Sequence, residues 1–197
     1  SVAVNDSYLL APWADLHYAA DSKWHAWHVA GIPKPALGLT AEDVRARWAV
    51  FGGEKCSIEP AKDYPVPAES ALEADERVHL LRNVHHPYRG AGLTLDPGFL
   101  VTGWNSGFQA LNLSILAGAS RVLLLGFDAC HTADGRSHWH GGHPRPSSGD
   151  FDPFLRAFSA AEGAIAAAGV EVVNCSPISR INSFPKMPLE EALAVTA

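Results

Sequence analysis

The stretch Val101–Cys130, VTGWNSGFQALNLSILAGASRVLLLGFDAC, runs from a polar turn through a helix to an apolar strand that ends in an acid. Asn105 and Ser106 are helix-capping residue types, and Phe108, Leu111, Ile115 and Leu116 behind them recur at near-helical spacing. The first turn of such a helix presents N–H groups outside the ladder and the positive end of the helix dipole, which suits a phosphate or carboxylate. Gly107, having no side chain, lets a ligand come close to that backbone. Gly118 stops the helix, and Arg121 leads into Val122–Leu125, a short apolar run typical of a strand covered on both faces. Gly126, Phe127 and Asp128 then fall at the strand's carboxyl end, the edge at which open parallel α/β sheets bind ligands. The same residue types also have a plain structural use, as caps and turn formers.

Outward from this segment, the chain alternates short apolar runs with helix-period stretches. Val2–Val4 and Leu16–Ala19 read as strands joined through Ala11-Pro12-Trp13, with Asn5 and Asp21 at their ends. Trp24, His25, Trp27 and His28 lie on a helix, with Trp24 and Trp27 on one face as core. Thr40, followed three residues on by Asp43, marks a capped helix start that leads to Trp48. The interval from Gly52 to Ala74, rich in Pro, Glu and Lys, reads as a long surface excursion, and Val78–Leu81 as another strand. His85, His86 and Arg89 leave that strand in a loop, where Arg89 is the stronger candidate as a cation for an anionic ligand. A helix from Asp152 to Ala168, with Phe154, Leu155, Phe158, Ala161 and Ile165 as its apolar face, ends at Gly169 before a strand over Val170–Val173. Strands alternating with helices imply parallel strands and right-handed crossovers. The expected fold is α/β, a Rossmann-like three-layer sandwich with a mainly parallel sheet, in one domain over residues 1–197.

Downstream of Asp128 lies HTADGRSHWHGGHPRPSSGD, residues 131–150. It holds His131, His138, His140 and His143, four of the ten histidines, beside Cys130, Asp134 and Asp150. A loop rich in Gly, Pro and Ser has little need of imidazoles for packing, and this one hangs from the strand end where a ligand would lie. A neutral imidazole there can take a proton from an attacking hydroxyl as general base. The same histidines, with Asp128, Cys130 or His131, are transition-metal ligands by type, but their spacing matches no paired zinc pattern. The base is therefore preferred, and no metal site is assigned.

A net charge of -6 and a pI near 5.9 argue against nonspecific nucleic-acid binding, and the fifteen Lys and Arg are dispersed. Cys56, Cys130 and Cys175 form neither an even framework nor a close pair, which favours a reducing compartment. No apolar run approaches the ~18 residues of a membrane span, and the start lacks the pattern of a signal peptide. These features set the expectation of a soluble cytoplasmic protein.

The core NSGFQALNLSILAGASRVLLLGFD resembles the central motif of the bacterial sialyltransferases of glycosyltransferase family 42. It is similar also to archaeal 6-hydroxymethylpterin diphosphokinase-like proteins, and to phage and bacterial proteins of unassigned activity that share the pattern. The opening VAVNDSYLLAPWADLHYAADSKW resembles the second and third strands of that family. FLRAFSAAEGAIAAAGVEVVNCSPISRINSFPKMPLEEAL resembles its last helix, last strand and Pro-containing tail. The resemblance implies a nucleotide-bearing small molecule as ligand, with Asn5 and Asp21 at base and ribose, and Asn105, Ser106, Gly107 and Asp128 around the nucleotide. It also implies a catalytic histidine in the loop, His143 being preferred over His138 and His140. The family's first strand and its Gly-x-Gly-Pro-Ser phosphate loop have no counterpart here, so the sheet is expected without that N-terminal strand.

The leading expectation is glycosyl transfer from a nucleotide sugar as donor, with no other cofactor. Diphosphoryl transfer from ATP is an alternative that needs Mg²⁺ and converging carboxylates, which Asp21 and Asp128 would supply. A noncatalytic phage or bacterial accessory protein retaining the fold is the third reading. Base and metal make opposite forecasts for the histidine loop. As a base, His143 replaced by Ala should cut turnover while nucleotide affinity stays nearly constant. Stoichiometric zinc, lost from a variant with His138, His140 and His143 all replaced by Ala, would instead establish metal ligation.

Overall fold

Apolar runs and helix-period segments alternate in the structure as they do in the sequence, and the principal sheet is wholly parallel. The computed structural model describes residues 1–58, 78–81, 83–84, 92–136, 138–139 and 150–195. These fall into two units, one within Ser1–Asn83 and His138–Pro146, the other within Val84–Ser137 and Ser147–Ala197. The fold is α/β. Among the described residues no helix is long and apolar enough to cross a membrane.

In the first unit, β1 (Val2–Val4), β2 (Leu16–Tyr18), β3 (Glu54–Ile58) and β4 (Val78–Leu81) pair in sequence order, each parallel to the next. A short 3-10 helix, Asn5–Leu9, follows β1, and α1 (Ser22–Ala30) and α2 (Ala41–Val50) make the crossover from β2 to β3 that parallel pairing requires. The Thr40–Asp43 capping box is present, with Asp43 N–H donating to Thr40 Oγ1 and Thr40 N–H to the Asp43 carboxylate.

The surface excursion expected from Gly52 is corrected over its first residues, which form the interior strand β3; residues 59–77 lie outside the described residues. Polar letters conceal this strand because its Lys and Ser are satisfied by carbonyls. Lys55 Nζ donates to Trp48 O at 3.1 Å and lies 4.0 Å from the Trp48 ring centroid, and Ser57 Oγ donates to Ala19 O at 2.7 Å.

The core of this unit is aromatic and polar together. The Tyr8 ring makes edge contacts with His17, Trp24, His28 and Trp48 at centroid distances of 5.6, 5.9, 5.7 and 5.4 Å. The buried Asp6 carboxylate takes Lys34 Nζ at 2.6 Å and the Trp24 indole N–H at 3.0 Å, with His28 Nε2 at 2.8 Å. His17 is fully buried on β2 and donates from Nε2 to Asn5 O at 3.0 Å.

In the second unit, β7 (Arg121–Leu124) and β8 (Glu171–Asn174) pair in parallel, Leu124 opposite Asn174. A shorter ladder joins β5 (Asn83–Val84), where the chain passes from the residues of the first unit to those of the second, to β6 (Leu100–Val101). Helix α3 (Ser106–Leu116) packs through Phe108, Leu111 and Ile115, and α4 (Asp152–Ala167) through Phe158, Ala161 and Ile165, into one core with Leu124 and Val172. Both helices end as their glycines demand, at Gly118 (φ 90°) and Gly169 (φ 68°), with Ala119 N–H reaching Ser114 O and Val170 N–H reaching Ile165 O. A last helix, α5 (Leu189–Ala194), is tied down by Arg121, whose guanidinium donates to Ala192 O at 2.8 Å and Val195 O at 2.7 Å. Of the run expected to be covered on both faces, only Leu124 is fully buried, and Leu125 just beyond the strand is exposed.

Burial pushes the His17 imidazole down from its ordinary 6.5 to about 3. The unfolded chain therefore takes up a proton below pH 6.5 that the native ring refuses until about pH 3, so acid favours unfolding across that window. Stability should fall by up to about 1.4 kcal/mol per pH unit there from this residue alone. Urea unfolding followed by tryptophan fluorescence at pH 7 and pH 5 should show the loss, and an equally steep loss in a folded His17→Phe protein would show that another group is responsible.

Candidate functional site

The start of α3 is built by a backbone reversal. After β6 the chain passes through Gly103 (φ 49°) and Trp104 (φ 61°), two consecutive left-handed residues, and the second is strained because it carries a bulky side chain. This delivers Asn105 to the N-cap, where its Oδ1 accepts from Phe108 N–H at 2.7 Å and its Nδ2 donates to Gly103 O at 3.0 Å. Ser106 and Gly107 are the first two helical residues, and the Gly107 N–H stands outside the intrahelical ladder.

The carboxyl end of β7 is fixed from the loop after β8. Phe127 N–H donates to Ser176 Oγ at 2.7 Å, and Phe127 O accepts from Ser179 Oγ at 2.6 Å. Arg180 N–H donates to Asp128 O at 2.8 Å. Ser176 is in turn set by Asn174 at the end of β8, whose Oδ1 accepts the Ser176 N–H at 3.0 Å. Ala129 follows in the left-handed region at φ 49°. The Asp128 carboxylate is half-buried and has no hydrogen-bond or ion-pair partner among the described residues, and burial holds its pKa above the usual carboxylate value.

These two pieces meet at Gly107. A Cβ there would lie 2.8 Å from Phe127 Cε1 and 3.1 Å from Asn105 Oδ1. The expectation that Gly107 clears a path for a ligand is therefore corrected: the flank of the helix start that it opens is filled by the Phe127 ring. Asn105, Ser106, Gly107 and Asp128 thus belong to one locality of the second unit.

The remaining expected residues lie elsewhere. Asn5 and Asp21 belong to the first unit, Asn5 in the left-handed region (φ 50°) after β1, and Asp21 directly before α1 with its carbonyl accepting from Trp24 N–H at 2.9 Å. His138 is half-buried and groups with the first unit, whereas His140, His143, His85, His86 and Arg89 lie outside the described residues. His131 is exposed with its ring 5.2 Å from that of Phe151, and Asp134 is held within its own turn by Thr132 and Arg136. Among the described residues no group of three or more His, Cys, Asp or Glu could hold a metal ion. The sequence reading missed Ser176 and Ser179, whose only signal is their place after a strand in Ser-Pro-Ile-Ser. It also missed Gln109, a buried amide in the first turn and a half of α3.

No family model, no curated protein and no solved structure matches this chain.

The Gly107–Phe127 contact is testable by a sign reversal. Alanine should raise helix stability at Gly107 by up to about 1 kcal/mol on propensity alone, but the ring contact should offset this and leave Gly107→Ala destabilised by about 1 kcal/mol. In a Phe127→Ala background the same substitution should become stabilising. Equal effects in both backgrounds, measured by thermal unfolding, would remove Phe127 from the account of Gly107.

Proposed function

We propose that this chain binds a nucleotide-bearing small molecule at the start of α3 and acts as a transferase, with glycosyl transfer from a nucleotide sugar as the reaction. The observation that carries the reading is Asp128: a half-buried carboxylate without a described partner, one residue from the ring that packs on the helix start. An unpaired carboxylate held in such a place by serine hydroxyls and a strained Ala129 destabilises the fold, which is the pattern of a residue kept for a ligand. The helix start attracts the donor's phosphate. As the bond between the sugar's anomeric carbon and that phosphate breaks, the phosphate oxygen keeps the electron pair, and the helix dipole stabilises the added charge. Asp128 accepts a hydrogen bond from a hydroxyl of the same donor. The acceptor's hydroxyl oxygen forms the new bond to the anomeric carbon and passes its proton to a general base, the role this reading gives to His143. The three free cysteines fit a reducing compartment, and the cytoplasm is the location this reading assigns.

Asp128→Asn separates this role from a structural one. A carboxyl whose folded pKa is raised loses stability as pH rises through its ordinary value, so removing the charge should raise the melting temperature at pH 7. That gain should shrink toward acid pH, where the native carboxyl is already protonated. Affinity for cytidine or uridine nucleotide sugars, titrated up to millimolar concentration, should fall roughly tenfold in the same variant. Absence of any nucleotide-sugar binding by the unsubstituted protein would sink the proposal.

A further inference from the structure

Helix α3 carries a polar stripe within an apolar helix. Asn105, Gln109 and Asn112 lie at i, i+4 and i+7, on one face. Asn105 and Asn112 are satisfied: the first caps the helix, and the second accepts from Thr94 and Val101 N–H, both at 3.3 Å, and donates to Thr94 O at 2.7 Å. Gln109, between them, is 3% exposed, and its Oε1 is buried without a hydrogen-bond partner among the described residues.

An amide oxygen left in that state costs about 1–3 kcal/mol, and apolar residues of similar volume are available to a helix at such a position. Side chains of an α-helix lean toward its N-terminus, so Gln109 points back along the face of Asn105 toward the helix start. Gln109 therefore stands about one turn, ~5.4 Å of helix rise, beyond the N-cap on the face that Asn105 begins. A fully deprotonated anion at the first-turn N–H groups cannot also satisfy Gln109, because a carbonyl oxygen requires a donor.

We propose that Gln109 is a specificity residue of the α3 site: its Oε1 accepts a hydrogen bond from an O–H or N–H group of the molecule whose phosphate lies on the helix start. This rests on the nucleotide reading of that site and narrows it. The ligand is a phosphate ester that also carries a hydrogen-bond donor, either a sugar hydroxyl or an exocyclic amine of a base. Sulfate, which fits the helix start and carries no O–H at neutral pH, gains nothing from Gln109.

The experiment is calorimetric titration of the full chain and of Gln109→Leu and Gln109→Met with sulfate, cytidine monophosphate, uridine monophosphate and 2′-deoxycytidine monophosphate. Thermal unfolding of each protein is measured beside it. Both variants should bind cytidine monophosphate roughly tenfold more weakly, bind sulfate unchanged, and unfold at the same or a higher temperature, since a buried unsatisfied group has been removed. Loss of the Gln109 effect with uridine monophosphate would assign the donor to the amine, and its loss with the deoxynucleotide to the 2′-hydroxyl. Equal weakening toward sulfate and nucleotide, or nucleotide affinity unchanged in both variants while the unsubstituted protein binds, overturns the role of Gln109 alone. Failure of the unsubstituted protein to bind sulfate or any nucleotide overturns the α3 site and this inference together.

Discussion

Phe127 is the point on which the second unit's candidate site depends. Its N–H and its carbonyl are both taken by serine hydroxyls of the loop after β8. Its ring meets Phe158 of α4 edge-on at 6.1 Å, and its far edge closes on Gly107 at the start of α3. One residue thus couples the end of β7, the loop after β8, the first turn of α3 and the second turn of α4. Loops leaving strand ends are ordinarily free to vary, but this one is held at both backbone groups and at the side chain. Asp128 inherits that rigidity, since its own carbonyl is fixed by Arg180 N–H. A carboxylate needs such support to remain unpaired in a half-buried position, because a flexible loop would turn it toward water.

The first unit solves a different problem. Its sheet face carries His17 and Lys55 where an ordinary α/β core would place Val or Leu, and its helices answer with Trp24, His25, His28 and Trp48. The buried Asp6 gathers Lys34, Trp24 and His28 around one carboxylate. Desolvation makes such pairs poor contributors to stability relative to well-packed apolar groups, so their effect is chiefly on geometry. Asp6 pins the short helix that begins at Asn5, and Asn5 is held left-handed with its carbonyl on His17. Left-handed non-glycine residues recur beyond strand ends at Asn5 after β1, Trp104 after β6 and Ala129 after β7. In each unit, strain collects just past strand ends and next to residues that the sequence marks for ligand contact.

What was legible in the sequence followed from local chemistry. The caps Asn105 and Thr40, the helix stops Gly118 and Gly169, and the apolar stripes of α3 and α4 depend on neighbours within a few residues, and each appears where expected. What was illegible depends on partners far along the chain. β3 looked like surface because Glu54-Lys55-Cys56-Ser57 is polar by composition, whereas Trp48 and Ala19 make two of those side chains acceptable inside. Asp6 and Lys34 stand 28 residues apart and gave no motif. Gly107 was read as room for a ligand because sequence cannot say which ring fills the space beside a glycine, and 20 residues separate it from Phe127.

The protonation of Asp128 bears on the helix start beside it. A carboxylate that capped α3 would accept backbone N–H bonds and sit below its ordinary pKa, as the Thr40-bonded Asp43 does at α2. Asp128 shifts in the opposite direction, and burial is the sole cause. It therefore does not serve as the helix's own anion. Asn105 fills the capping role as a neutral amide, bonding Phe108 N–H and adding no charge. The positive end of the α3 dipole is consequently left without a formal negative charge from either residue. A helix start capped by an amide, with a nearby carboxylate kept off its N–H groups, retains its attraction for an external anion.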